Sequence, residues 1–328
     1  MASPAASCGY LSLYYGRVTR VPPLLPTATY SKIPLSTTDL LNGMISRRLI
    51  VPDRSKAEHY IKRIGYYRLS GYTLLYEAPV IPGSSRTHIF NTGTTFDMVL
   101  EAYLLDRELR IAILDAVERI EVAFRTSIDD IMSITTRDSH WYLDVNNLIY
   151  SNYFKYVDLI KIVKRDAAKD KNVFCLHYYE NYAYPILPPG WMVTETLSMG
   201  TWSKIYAAIK DTSKAISIAS EFNLSQTEMI SWFRSFSYTR NLCAHHSRLL
   251  SIVPTISPKK SYKIANQGIS YTRSFYQILA CMYFILKQIA PGTSWPQTLK
   301  QIFNRHPSVD TSSHLGFPVG WESLPFWK

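Results

Sequence analysis

The stretch FDMVLEAYLLDRELRIAILDAVERIEVAFRTSIDDIMSI, residues 96–134, contains neither glycine nor proline, and its apolar side chains recur at 100, 104, 111, 114, 117, 124, 128 and 131. Steps of three, four and seven place those residues on one face of an α-helix. The segment therefore predicts a long amphipathic helix, straight or with one bend. No series of alternating strands appears elsewhere, so the expected class is mainly α, a helical bundle with an N-terminal helical accessory subdomain.

Punctuation by proline and glycine divides the rest. Residues 1–34 carry Pro4, Pro22, Pro23, Pro26 and Pro34 and read as an irregular arm. A helix is expected from Thr38 to Leu49, capped by Thr37 or Thr38, and another from Ser55 to Ile64, stopped by Gly65. The Tyr-rich YYRLSGYTLLYE follows, as helix or extended chain. Residues 35–92 form a basic accessory subdomain on this reading, and 93–290 the bundle, with further helices over 155–170, 225–250 and 270–289. Residues 291–328 are expected to be irregular, their terminal aromatics packing on the body.

A hydrophobic content of 47% is enough to bury a core, and the net charge of +11 favours a polyanionic partner. Between Glu228 and Asp310 there is no acidic residue, yet ten Lys and Arg residues occur. The four cysteines, at 8, 175, 243 and 281, lack metal-ligand or disulfide-framework spacing. A reducing, cytoplasmic setting is expected, because the N-terminus has no apolar signal core. No window reaches about 18 uncharged apolar residues, so FYQILACMYFILKQIA at 275–290 reads as a buried helix and no membrane contact is expected.

Within the acid-free region lies TRNLCAHHSRLL, residues 239–250. On a helix continuing through this run, Asn241, His245 and Arg248 share one stripe, with Arg240 and His246 to either side. A metal site needs further ligands, and adjacent helical histidines diverge. Cys243 and His245 point to opposite sides, against a thiol nucleophile. A plain polar face remains open, as does metal-independent RNA cleavage. That reaction needs an imidazole to move the 2′-hydroxyl or 5′-oxygen proton and a cation on the phosphoryl oxygens.

RNLCAHHSRLL resembles the R-x4-6-H motif of HEPN-domain ribonucleases, in the variant with Asn directly after Arg. Together with YYRLSGYTLLYE (66–77), LDRELRIAILDAVERIEVAFRTSI (105–128) and LPPGWMVTETLSMGTWSKIY (187–206), in that order, it resembles the Abi-like family of bacterial abortive-infection proteins, the AbiD and AbiF group. The resemblance implies a HEPN-type helical bundle and an endoribonuclease that stalls the phage-infected cell, with Arg240, Asn241 and His245 catalytic and His246 the adjacent supporting residue; Arg248 joins them as a supporting residue from the helical stripe alone. It implies no metal and no other cofactor. With one motif per chain it implies homodimerisation or dormancy as a monomer, and in AbiF-like proteins control by a structured noncoding RNA. The Tyr two residues after His that accompanies nucleotidyltransferase control is missing. A non-catalytic RNA-binding protein on the same scaffold is the alternative.

Glu121 falls on the apolar stripe of the long helix, where a charge needs a partner. Arg125, one turn on, supplies an ordinary ion pair, or Glu121 orients Arg240 or His245. For RNA contact the candidates are Arg47, Arg48, Lys62, Arg63, Tyr67 and Arg68, with Lys259, Lys260 and Lys263. Tyr67 and its neighbours read first as core aromatics and alternatively as a base-stacking and phosphate-binding surface around Arg68.

Overall fold

The computed structural model describes residues 30–80, 85–151, 154–270 and 272–328. The N-terminal arm called over residues 1–34 lies outside the described residues up to 29, and 30–34 carry no regular structure. Among the described residues there are fourteen α-helices and no strand, only isolated bridges. The chain divides into two compact units, residues 1–103 and 104–328, with the division falling inside the long helix.

The first unit holds α1 (Thr37–Ile45), α2 (Arg54–Ile64), α3 (Tyr66–Thr73) and the first turns of α4 (Phe96–Thr136). Ser36, not Thr37 or Thr38, caps α1 by accepting from the Asp39 N–H, and Asp53 caps α2 through the Lys56 N–H. The first helix stops four residues before Leu49, because Arg48 takes a left-handed turn (φ 76°) that returns Leu49 to the interior. Gly65 (φ 93°) ends α2 and starts α3 in a conformation that residues with a Cβ avoid. YYRLSGYT is helical, with Leu69 and Tyr72 buried.

The second unit is organised around the remainder of α4, whose 41 residues confirm the long helix. Phe124 stacks on Phe233 at 3.7 Å between ring centroids and meets Tyr206 and Phe222 edge-on. This one side chain joins α4 to α8 (Met199–Ala208), to the end of α9 (Thr212–Glu221) and to α10 (Gln226–Ala244). Between α4 and α8 lie α5 (Tyr156–Asp166), α6 (Val173–Asn181) and the single turn α7 (Gly190–Val193). At Gly190 a Cβ would sit 1.8 Å from Asp129 Oδ1, which also accepts from the Trp141 indole N–H, so LPPGW needs glycine for close approach.

After the one-turn α11 (Tyr262–Ala265), α12 (Phe275–Ile289) is buried from Phe275 to Leu286, as a helix apolar all round must be. No described helix is long and apolar enough to cross a membrane. Residues 291–328 depart from the expected irregular tail. They hold α13 (Trp295–Arg305) and α14 (Thr311–Leu315), and Trp327 stacks on Tyr283 beside Tyr276. Trp295, Leu299 and Ile302 keep a helical period in α13, Pro296 suits its first turn, and the aromatic contacts hold the end of the chain.

Candidate functional site

The motif sits at the C-terminal end of α10, which stops at Ala244 and does not continue to residue 250. His245 is the cap residue, with its N–H on the Asn241 carbonyl. His246 then takes φ 56°, its N–H reaching the Cys243 carbonyl and the Ser247 N–H the Leu242 carbonyl at 2.8 Å. These two bonds form a Schellman turn, in which the left-handed position is ordinarily glycine. A histidine held there marks a strained backbone at a chemically capable side chain.

This ending corrects the expected stripe. Asn241 and His245, one turn apart, both open to solvent as predicted, but Arg248 lies beyond the helix. Its charge is felt instead by His314 of α14, whose imidazole is held below its usual pKa chiefly by burial, against the pull of Asp310 and with a smaller push from Arg248. His246 is likewise exposed, and Arg240 is half-buried with its guanidinium 3.4 Å from the Asn241 side-chain oxygen. Cys243 is buried, and burial pushes its thiol up to about 12, which removes it as a nucleophile.

What holds the turn is a buried pair that lies outside the motif. On α4, Asp106 and Arg110 are 0% and 4% exposed and paired with each other. Asp106 Oδ1 accepts the N–H groups of Leu249 and Leu250 at 2.9 and 3.0 Å, and Arg110 donates to the Ser247 carbonyl at 3.3 Å. The chain after the histidines is therefore clamped by a buried ion pair that also hydrogen-bonds its backbone. A signal existed: Asp106 and Arg110 lie four apart on the same helical stripe as the buried Ile113, Val117, Ile120 and Phe124.

Glu121 stands on the motif side of α4. Burial raises its pKa, opposed by the charges of Arg125 and Arg240 and by a hydrogen bond from the Met199 N–H at the start of α8. Arg125 lies 3.8 Å from Glu121 and 3.6 Å from Glu195, with its Nε buried and unpaired. Glu121 therefore stands near two cations. It pairs loosely with Arg125, and it places a carboxylate within electrostatic reach of Arg240.

The other candidates do not gather at the motif. Lys259 reaches Thr227 and Ser231, and Lys263 donates to Asn223 at 2.7 Å, so both belong to the N-terminal end of α10, about 20 Å along the helix from Asn241. Lys260 lies over the Tyr262 ring. In the first unit Arg47 is engaged in packing, donating to the Gly43 carbonyl and the Tyr66 hydroxyl, while Arg48 is exposed. Lys62, Arg63, Tyr67 and Arg68 are all exposed around the Gly65 corner, with Tyr67 at 83%, so Tyr67 is not a core aromatic.

The family model described as "Abi-like protein" matches residues 59–251, more than half of the chain, from within α2 to just beyond the clamped turn. Comparison with curated proteins and with solved structures returns no match.

Proposed function

Since the chain belongs to the Abi-like family, we propose that it is an abortive-infection endoribonuclease of HEPN type, with the end of α10 as its active site. The observation that carries this reading is the solvent-open His245 beside Asn241 and Arg240, followed by a histidine in a strained turn that α4 holds in place. His245 moves the proton of the attacking 2′-hydroxyl or the leaving 5′-oxygen, yielding a 2′,3′-cyclic phosphate and a 5′-hydroxyl. Arg240 neutralises the phosphorane, drawn into position by Glu121, and Asn241 orients the ring or a phosphate oxygen. His246 is the adjacent imidazole. Arg248 acts only from outside the helix, and Arg125 through Glu121.

With one motif per chain, the site is completed by a second copy, and a structured noncoding RNA in the cytoplasm restrains it. The exposed Lys62, Arg63, Tyr67 and Arg68 contact that RNA through phosphates and one stacked base. His245→Ala should lower cleavage of single-stranded RNA by about 10²–10⁴-fold with the thermal transition unchanged. Undiminished cleavage by that variant would overturn the reading. No cleavage by the wild-type protein in any oligomeric state, with RNA still bound, would favour a non-catalytic RNA-binding protein.

A further inference from the structure

A cavity of about 990 Å3 lies between α8 and α10 and ends against Asn241. It is at the upper end of the roughly 300–1,000 Å3 usual for ligand clefts, and it is an open trough. Its α10 wall contributes Arg234, Ser237, Tyr238 and Asn241, and its α8 wall Thr201 and Lys204. Residues 234, 238, 241 and 245 advance by four, three and four, so one helical stripe leads from the trough to His245.

The chemistry of the walls is one-sided. Arg234 and Lys204 are exposed cations, no carboxylate lines the trough, and the half-buried Thr201, Ser237 and Tyr238 add hydroxyl donors. Gly200 and Ala207 of α8 keep that wall low. Cations for phosphates, hydroxyls for phosphate and ribose oxygens, and a ring for a base are the requirements of a single-stranded polynucleotide track. Much of the remaining lining is apolar, with Ile149, Phe154, Ile230 and Ile256, a surface on which bases can lie while the cations hold the phosphates.

We propose that this trough is the track for the single-stranded RNA segment flanking the scissile phosphate, with Arg234 and Lys204 on its phosphates and Tyr238 against a base. This rests on the ribonuclease reading above and adds how the strand is led to the motif. A strand lying along α10 in this trough passes Asn241 before it reaches His245, so its phosphate is presented to the helix end.

The test uses the full chain carrying His245→Ala, so that the probe survives, and a fluorescently labelled mixed-sequence single-stranded oligoribonucleotide. Adding Lys204→Glu with Arg234→Glu should weaken binding at least ten-fold, and the slope of log affinity against log salt should fall by about 1.4 for two lost phosphate contacts. Tyr238→Leu should weaken binding by about ten-fold with the slope unchanged. Lys164→Glu with Lys300→Glu, the same charge change at exposed positions outside the trough, controls for net charge and should cost less. Equal losses for the two charge-reversed pairs, or no loss with Tyr238→Leu, overturn the proposal. So does a change of oligomeric state with RNA affinity kept, which would give the trough to a second copy of the chain. If the wild type cleaves nothing while the trough variants still lose RNA, the ribonuclease reading fails and the track stands. If the wild type cleaves and the trough variants bind normally, the track alone fails.

Discussion

The two ends of α10 are built on different principles. At its N-terminus Ser225 and Glu228 form a capping box, each side chain satisfying the other's backbone N–H, so the start is encoded within four residues. At its C-terminus no local residue suits the turn. The left-handed position holds His246 rather than glycine, and the chain beyond it is gripped by Asp106 and Arg110, more than 130 residues earlier. The contrast teaches that a helix end without a local stop signal depends on tertiary contacts, whereas a capped one needs only its own sequence.

Removing the clamp is the severest way to test that contrast. Asp106→Ala leaves Arg110 buried without its carboxylate and two N–H groups without acceptors, so chemical denaturation should show a loss of about 3–5 kcal/mol, with the Ser247–Leu250 amides losing protection from hydrogen exchange. A change under 1 kcal/mol would show that the turn stands without α4.

Asp129, also on α4, is the control carboxylate, buried like Asp106 but with no cation paired to it. Burial pushes its pKa up to about 6, against the Trp141 and Ser133 hydrogen bonds. The folded state therefore binds the proton more tightly than the unfolded chain, whose value is about 3.9. Stability from this group is fully present below about pH 4 and is lost as pH rises through 6. Asp129→Asn keeps an acceptor for Trp141, and should flatten that slope and raise stability at neutral pH by on the order of 2 kcal/mol. An unchanged pH profile would discount the buried charge.

At the locally encoded end, Ser225→Ala should cost about 1 kcal/mol and leave RNA cleavage untouched. The smallest effect belongs to His246→Gly, which relieves the left-handed backbone while adding chain entropy to the unfolded state, for a net change within about 1 kcal/mol. Cleavage should fall even where the melting temperature rises. Full activity in a stabilised variant would reduce His246 to a spacer.

The same contrast explains what could be read beforehand. The long helix was legible because 39 consecutive residues from Phe96 avoid glycine and proline and keep one period. Arg240, Asn241 and His245 were legible as a spacing, and Glu121 as a charge on an apolar stripe. The end of α10 was not, because CAHHSRLL contains no glycine or proline to announce a stop, and the clamp that ends it comes from a distant helix. Arg248 was misplaced for that reason, whereas Lys259 and Lys263, close to the motif in sequence, stand at the other end of α10.

The sequence by itself determined a mainly helical chain, a 41-residue central helix to within two residues at either end, and the residues from which the candidate site is made. Those are consequences of periodicity and side-chain type, which act over a few residues. Only the tertiary structure decided where α10 stops, that a buried Asp106–Arg110 pair holds the histidine turn, and that a cationic trough between α8 and α10 leads to Asn241. Each of these depends on groups far apart in sequence becoming neighbours. There the cost of a buried charge or a strained residue is offset by partners that no local window contains.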